Sequence, residues 1–398
     1  MKDIEMKLKK RYILLISFIV LTIAFCRKPF NPAVVSSGTG VVVIDGYISG
    51  GADSTYITVS KTVTIDGKAS SITEEHAAVT IEDDQNKSYT LNELSTPGRY
   101  AIAAIGLNDA RKYRVRVKLL DGSTYLSDLV PVKNSPPIDS VGYTIGNTGI
   151  GVYVNTHDPA DKTHYYRWQY EETWRFHSYY NSLFMSDGKN IVRRPIDKQI
   201  YYCYAGDISQ SVILQSSLKL THDVIYQQPL TLVPPESEKI GIRYSILVKQ
   251  YALTDVEYAF WQNMKTNTQD LGSIFDAQPS ATPGNIHCIT DPAKQVIGFI
   301  GAGTIARKRI FVDKSELPAW YIDYPKSCTY LDTALFINPI TKVNEVVNKL
   351  ILPPVLRIPV VECFSTTTQP VVIGYYCALN ECVDCTLRGH TATPPFWK

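Results

Sequence analysis

From residue 41 to residue 133 apolar and polar side chains alternate in short runs, the period of strands that bury one face. Residues 41–44 form an apolar strand entering a turn at Asp45-Gly46. Ile57, Val59, Val63 and Ile65 alternate with Thr58, Ser60, Thr62 and Thr64, and Lys61 interrupts the apolar face as a bulge or an edge position. Val79 and Ile81 lie on one side of Asp83-Asp84-Gln85-Asn86 and Tyr89 and Leu91 on the other, a hairpin by composition. Pro97-Gly98 marks another turn. The clearest unit interleaves Tyr113, Val115, Val117 and Leu119 with Arg114, Arg116 and Lys118, runs into Asp121-Gly122, and returns through Leu126, Val130 and Val132. About seven short strands at this spacing predict an immunoglobulin-like or transthyretin-like β-sandwich over residues 41–134. Ser135-Pro136-Pro137 follows, and two prolines remove backbone donors and hold the chain extended, so a semi-rigid joint is expected there.

Residues 138–398 read as a larger β-rich domain with one or two short helices, so the fold class is mainly all-β. Strand character is strongest over residues 142–154, 165–176, 211–220, 240–251, 296–300 and 309–312, and residues 181–197 are polar enough for a loop. In the second of these strands Tyr166, Trp168 and Tyr170 share one face and Arg167, Gln169 and Glu171 the other, an aromatic side against a polar one. One helix stands out. Thr254 and Glu257 have the spacing of a capping box, and Val256, Phe260 and Met264 form a stripe that Trp261 widens, read as core packing.

The first 25 residues differ from all of this. Lys7, Lys9, Lys10 and Arg11 precede an uncharged, mostly apolar run over residues 12–25, which Cys26 follows. The run has 14 residues, and a spanning helix needs about 20. Residues 1–25 therefore read as an export signal, and a cysteine at its end points to lipidation at Cys26 and a membrane tether. Residues 26–40 lack a hydrophobic period and read as a flexible linker. The formal charge of +2 includes five Lys/Arg and two Asp/Glu in the signal, so the chain beyond it carries −1. Nucleic-acid binding needs a basic footprint that this chain lacks. Tyrosine is over-used, 26 against 12 Phe and 5 Trp. That fits pleated, half-buried surfaces, with a sugar- or peptide-binding face as the alternative.

Beyond Cys26 there are seven cysteines: Cys203, Cys288, Cys328, Cys363, Cys377, Cys382 and Cys385. In an exported chain they are disulfide candidates, and four of them within residues 363–385 predict a stapled C-terminal segment. Seven is odd, so one thiol should stay unpaired, and spacing does not give the connectivity. Cys382-Val383-Asp384-Cys385 is a CxxC without a second of its kind; disulfides are preferred to zinc, and no metal site is nominated. Gly301, Gly303 and Ala306 fit a dinucleotide fingerprint in spacing, but residues 307–312 continue as a strand where the chemistry needs a helix, so the glycines are expected to form a turn. No cofactor is called for. Asp158 and Asp161 flank Pro159 as turn formers. Glu171 and Glu172 are adjacent on a strand and face opposite sides, a poor pair for glycoside hydrolysis. No catalytic residue is nominated and no enzymatic activity is expected.

Along nearly its whole length beyond the signal, the chain resembles an uncharacterised family of Bacteroidetes outer-membrane lipoproteins, domain of unknown function 4249. The resemblance rests on Cys26 with Lys28-Pro29-Phe30, on Val43-Ile44-Asp45-Gly46, and on residues 125–132 before Pro136-Pro137-Ile138-Asp139-Ser140. It continues in Tyr165-Tyr166-Arg167-Trp168, Tyr170-Glu171-Glu172-Thr173-Trp174 and Gly284-Asn285-Ile286, and is most specific in Cys382-Val383-Asp384-Cys385 with Arg388-Gly389 and Pro395-Phe396-Trp397. Members look like companions of TonB-dependent receptors, beside which they are typically encoded. The resemblance therefore implies a lipid-anchored outer-membrane protein, facing either the periplasm or the cell surface. It would be a non-catalytic accessory of such a receptor in nutrient uptake or complex assembly, with a glycan or a peptide as candidate ligand. A structural or adhesion role, and then a hydrolase acting on an extracellular polymer, are the alternatives.

Overall fold

A computed structural model describes residues 40–65, 68–268 and 284–397. The signal, the linker and Cys26, with the lipidation expected there, lie outside the described residues. The molecule is mainly β, with a few short helices. In the first sheet β1 (Val42–Ser49) runs antiparallel to β2 (Thr55–Ile65), which pairs onward with Lys68–Thr73 and Arg99–Ile102. The facing sheet runs in spatial order through Ser88–Thr90, Ala78–Asp83, Lys112–Lys118, Thr124–Ser127 and Ile286–Cys288. Ile44, Ile48, Ile57 and Val59 from one sheet and Val79, Ile81, Val115 and Val117 from the other fill the space between them. These are the alternate positions of the period-two pattern, and each such side chain taken fully out of water contributes about 1.5–3 kcal/mol.

After β3 (Val130–Asn134) and the prolines, a second pair of sheets forms. Ile138–Gly146, Gly149–His157 and Val224–Val233 make one. The other is built on β4 (Tyr165–His177), which pairs on one side with β5 (Arg243–Ala252) and on the other with Tyr202–Ile208 and Ile213–Ser216. Its aromatic face is core: Tyr166 and Trp168 are fully buried. Their polar ends are satisfied, Trp168 Nε1 donating to Gln250 Oε1 at 2.9 Å and Tyr166 donating its hydroxyl proton to Asp223.

The strand β6 (Ile300–Asp313) links the two halves. Its first residues run parallel to β1 and β3, and from Ile305 onward it pairs antiparallel with β5. Together with Ile286–Cys288 and Val296–Ile297, it carries chain from beyond the proline joint back into the first pair of sheets. The C-terminal part is a smaller sheet of Asp332–Leu335, Val372–Leu379 and Arg357–Phe364.

Four local expectations are corrected. Asp45-Gly46 is no turn: β1 continues through it, and Gly46 is needed because a Cβ there would lie 2.7 Å from the Tyr56 carbonyl oxygen. Residues 142–154 span parts of two strands, Ile138–Gly146 and Gly149–His157, which pair as a hairpin. The polar 181–197 stretch contains a short hairpin, Phe184–Ser186 with Ile191–Arg193. In the helix α1 (Asp255–Thr268) the apolar stripe is rotated by one position: Val256 is exposed, and Glu257 and Phe260 are buried.

Candidate functional site

The polar face of the β4–β5–β6 sheet is the floor of a cleft of about 660 Å³. Strand register sets the floor. Arg167 lies opposite Tyr251, which lies opposite Ile305, and Gln169 lies opposite Lys249, which lies opposite Arg307. β1 supplies one wall through Asp45, Tyr47 and Ser49, and residues 52–54, Tyr56 and Arg99 close the rim.

Arg167 is the central group. It is 7% exposed, and its guanidinium carbon lies 4.4 Å from the centroid of the Tyr251 ring and 4.2 Å from that of Trp261. A delocalised, weakly hydrated cation is well suited to a seat between two aromatic rings. Tyr251 is itself fixed, edge-on to Tyr47 at 5.1 Å and donating its hydroxyl to Gln169 Oε1 at 2.9 Å. The rim cations differ in partnering: Lys249 is paired with Glu171 and Arg307 with Asp53, whereas Arg99 lies over the Tyr56 ring at 4.6 Å. Among the described residues neither Arg167 nor Arg99 forms an ion pair.

Glu257 approaches the same cluster from α1. Its backbone N–H donates to Thr254 Oγ1 at 3.1 Å, the N-cap half of the expected capping box, while its carboxylate is buried at 4% exposure. Burial pushes its pKa up to about 7, against the opposing influence of the Arg167 charge and the weaker one of the Trp261 indole N–H. Burial, reinforced by the Glu257 carboxylate, likewise raises the Tyr47 hydroxyl well above its usual range. Room for this carboxylate comes from Gly301. A Cβ on Gly301 would sit 2.7 Å from the Glu257 carboxylate and 2.9 Å from the Tyr47 ring. At Gly303 φ is +154° and a Cβ would lie 1.7 Å from the Lys133 carbonyl oxygen. The glycines therefore do not form the expected turn between strands; they lie inside β6, where the backbone must come close to its neighbours.

The cluster is unusual in its unmet hydrogen bonds. Tyr47 Oη, Ser49 Oγ and Arg167 Nε are buried without a partner. Buried polar groups are nearly always bonded, to protein or to water, so three orphans lining one cleft make it the candidate site.

The remaining sequence-nominated residues lie elsewhere. Glu171 and Glu172 do face opposite sides: Glu172 is buried, bonded to Lys239 Nζ and the Tyr244 hydroxyl at 2.6 Å each. Asp158 accepts from the backbone N–H groups of Ala160, Lys162 and Thr163, as a turn former does. Cys203 is bridged to Cys385 and Cys328 to Cys382, so the CxxC cysteines bond to distant partners and tie the C-terminal segment to the body. Cys288, Cys363 and Cys377 are free and buried, three unpaired thiols where the count alone required one. Arg167 was visible in the sequence as part of a polar strand face. Tyr47, Glu257 and Arg99 carried no sequence signal for a site, because β1, α1 and the rim meet only through long-range pairing.

No curated protein matches this chain. Among solved structures, one titled "Biofilm associated protein - BSP domain" is 8% identical with a TM-score of 0.11, a likeness too slight to argue from. The match covers 54% of this chain and 55% of that one, so the chain spans about half the length of that structure. Residues 27–309, a stretch that contains every residue lining the cleft, match the model for Domain of unknown function (DUF4249), and the chain belongs to that family.

Proposed function

We propose that the protein is a non-catalytic binding module, held to the outer membrane by lipid on Cys26, that captures a ligand as the accessory partner of a TonB-dependent receptor. The observation that carries the binding role is the cluster of orphaned buried polar atoms around Arg167 at the floor of the cleft. The N-terminal basic head, apolar run and cysteine support the tether, and the family resemblance supports the receptor partnership. A hydrolase is the weaker reading. The lining carboxylates Glu171 and Asp53 are held by Lys249 and Arg307, which leaves no free pair flanking a scissile bond.

Purification of the full chain from detergent-solubilised envelopes, with partners identified by mass, tests the partnership. A TonB-dependent receptor is expected in the eluate. Recovery of the chain alone, together with normal nutrient uptake and altered surface attachment in a deletion strain, would replace this reading with a structural or adhesion role. Cys26→Ser is expected to abolish palmitate incorporation and release the protein from envelopes.

A further inference from the structure

We infer that the cleft binds an acidic sugar, a short oligosaccharide carrying a uronate carboxylate, with that carboxylate seated against Arg167 and Arg99. The inference rests on the binding role proposed above and names the class of ligand.

Charge decides the first part. Four cations line the cleft, Arg99, Arg167, Lys249 and Arg307, against three carboxylates, Asp45, Asp53 and Glu171. Lys249 and Arg307 are neutralised by their partners, so a net +1 is left by Arg167 and Arg99 against Asp45, and it is there in full when Glu257, beside Arg167, holds its proton. One monoanionic group balances that excess. Arg167 is pre-organised to receive it: the rings of Tyr251 and Trp261 hold the guanidinium, and Arg167 lines the cleft. A planar carboxylate meets a guanidinium edge with two parallel hydrogen bonds.

The remainder of the lining decides the second part. Tyr56, 43% exposed, offers apolar ring surface against which the C–H face of a sugar ring can lie, and Gln169, Ser49 and Asp45 offer donors and acceptors of the kind hydroxyls require. A peptide would need either apolar side-chain pockets or a free strand edge for backbone pairing. The floor strands have no such edge at the cleft, because β1 is paired with β2 and β6, β5 with β4 and β6, and β4 with β5 and Ile213–Ser216. The volume, about 660 Å³, is in the range of sites that enclose a short oligomer rather than a single small ion.

The test is calorimetry on the full chain in detergent with oligouronides of two to four residues, based on galacturonate, glucuronate and mannuronate, each against its methyl ester. At least one acidic series should bind saturably and lose at least about tenfold in affinity on esterification. Arg99→Gln, on an exposed residue, should weaken that binding several-fold without altering the thermal melt. Arg167→Lys, which keeps the charge but not the planar fork, should weaken it by about tenfold or more. Equal binding of acid and ester overturns the assignment of the carboxylate. Binding of neutral oligosaccharides or peptides but of no uronide overturns the ligand class and leaves the cleft as a binding site. If no probe binds while the receptor still co-purifies, the inference fails and the accessory role stands. Uronide binding without a receptor in the eluate reverses that outcome.

Discussion

Replacing Glu257 by glutamine should make the protein more stable at pH 8 and leave it nearly unchanged at pH 4. The carboxyl is 4% exposed and its folded-state pKa is pushed up to about 7, from an ordinary value of 4.5, by burial that outweighs the Arg167 charge. Below pH 4.5 both folded and unfolded chains hold the proton, and the site's contribution is fully present. Between pH 4.5 and 7 the unfolded chain releases the proton while the folded chain keeps it, so stability falls as pH rises, by about 1.4 kcal/mol per unit. Above pH 7 the loss is complete, at roughly 3 kcal/mol. Glutamine fills the same space, is always neutral and has no proton to lose, so the variant escapes that loss. Urea unfolding of both proteins at pH 4, 6 and 8, followed by tryptophan fluorescence, gives the difference directly, and all other titrating groups cancel in it. The denaturant midpoint of Glu257→Gln should coincide with that of the parent at pH 4 and exceed it increasingly at pH 6 and 8. A gap that does not change with pH, or a variant less stable than the parent at pH 8, refutes the argument that Glu257 is a desolvated carboxylate.

Other outcomes follow from the same geometry. Gly301→Ala forces a methyl group against the Glu257 carboxylate and the Tyr47 ring and should cost about 1–3 kcal/mol in urea unfolding, and Gly301→Ala combined with Glu257→Ala should recover part of it. Gly303→Ala meets the Lys133 carbonyl with no flexible group to yield, and should give little soluble protein. Peptide mapping without reduction should find Cys203 joined to Cys385 and Cys328 joined to Cys382, with Cys288, Cys363 and Cys377 alkylated only after denaturation. Cys203→Ser with Cys385→Ser should lower stability by about 2–4 kcal/mol, read as an earlier denaturant midpoint. Binding of an acidic probe should strengthen as pH falls through 7, because protonating Glu257 removes the negative charge that competes for Arg167; a flat profile between pH 6 and 8 would contradict it.

The local part of this structure could be read from the sequence, because it is local chemistry. Period-two alternation placed the strands of the first sandwich, and Asp121-Gly122 marked one of its turns, where Gly122 adopts φ of +84°. The same rule separated Tyr166 and Trp168, which are core, from Arg167 and Gln169, which floor the cleft. The helix shows where periodicity becomes ambiguous. Val256, Phe260 and Met264 and the alternative set Glu257, Phe260, Trp261 and Met264 both satisfy a helical stripe, and hydrophobicity favours the first. The cost of burying Glu257 is offset in part by Trp261 on the same helix and by Arg167 and the space above Gly301, which strands remote in sequence bring to it. The glycines misled for the same reason: without the neighbouring carboxylate and carbonyl, a glycine-rich run in a β context reads as a turn. Cysteine pairing is equally non-local, with bridges closing separations of 182 and 54 residues.

The position of the cleft follows from the path of one strand. β6 runs beside β1 and β3 at its N-terminal end and beside β5 at its C-terminal end, so the residues that floor the cleft are held by a continuous hydrogen-bonded ladder rather than by loops. Such a floor holds Arg167 and Tyr251 in place before any ligand arrives, and little side-chain freedom is left to lose on binding. Opening the cleft would break pairing between β6 and either β1 or β5, so a ligand is not taken in by separation of the two halves. Entry and exit are left to the rim, residues 52–54 and Arg99, which is where variants that change the rate of capture without changing the fold should cluster.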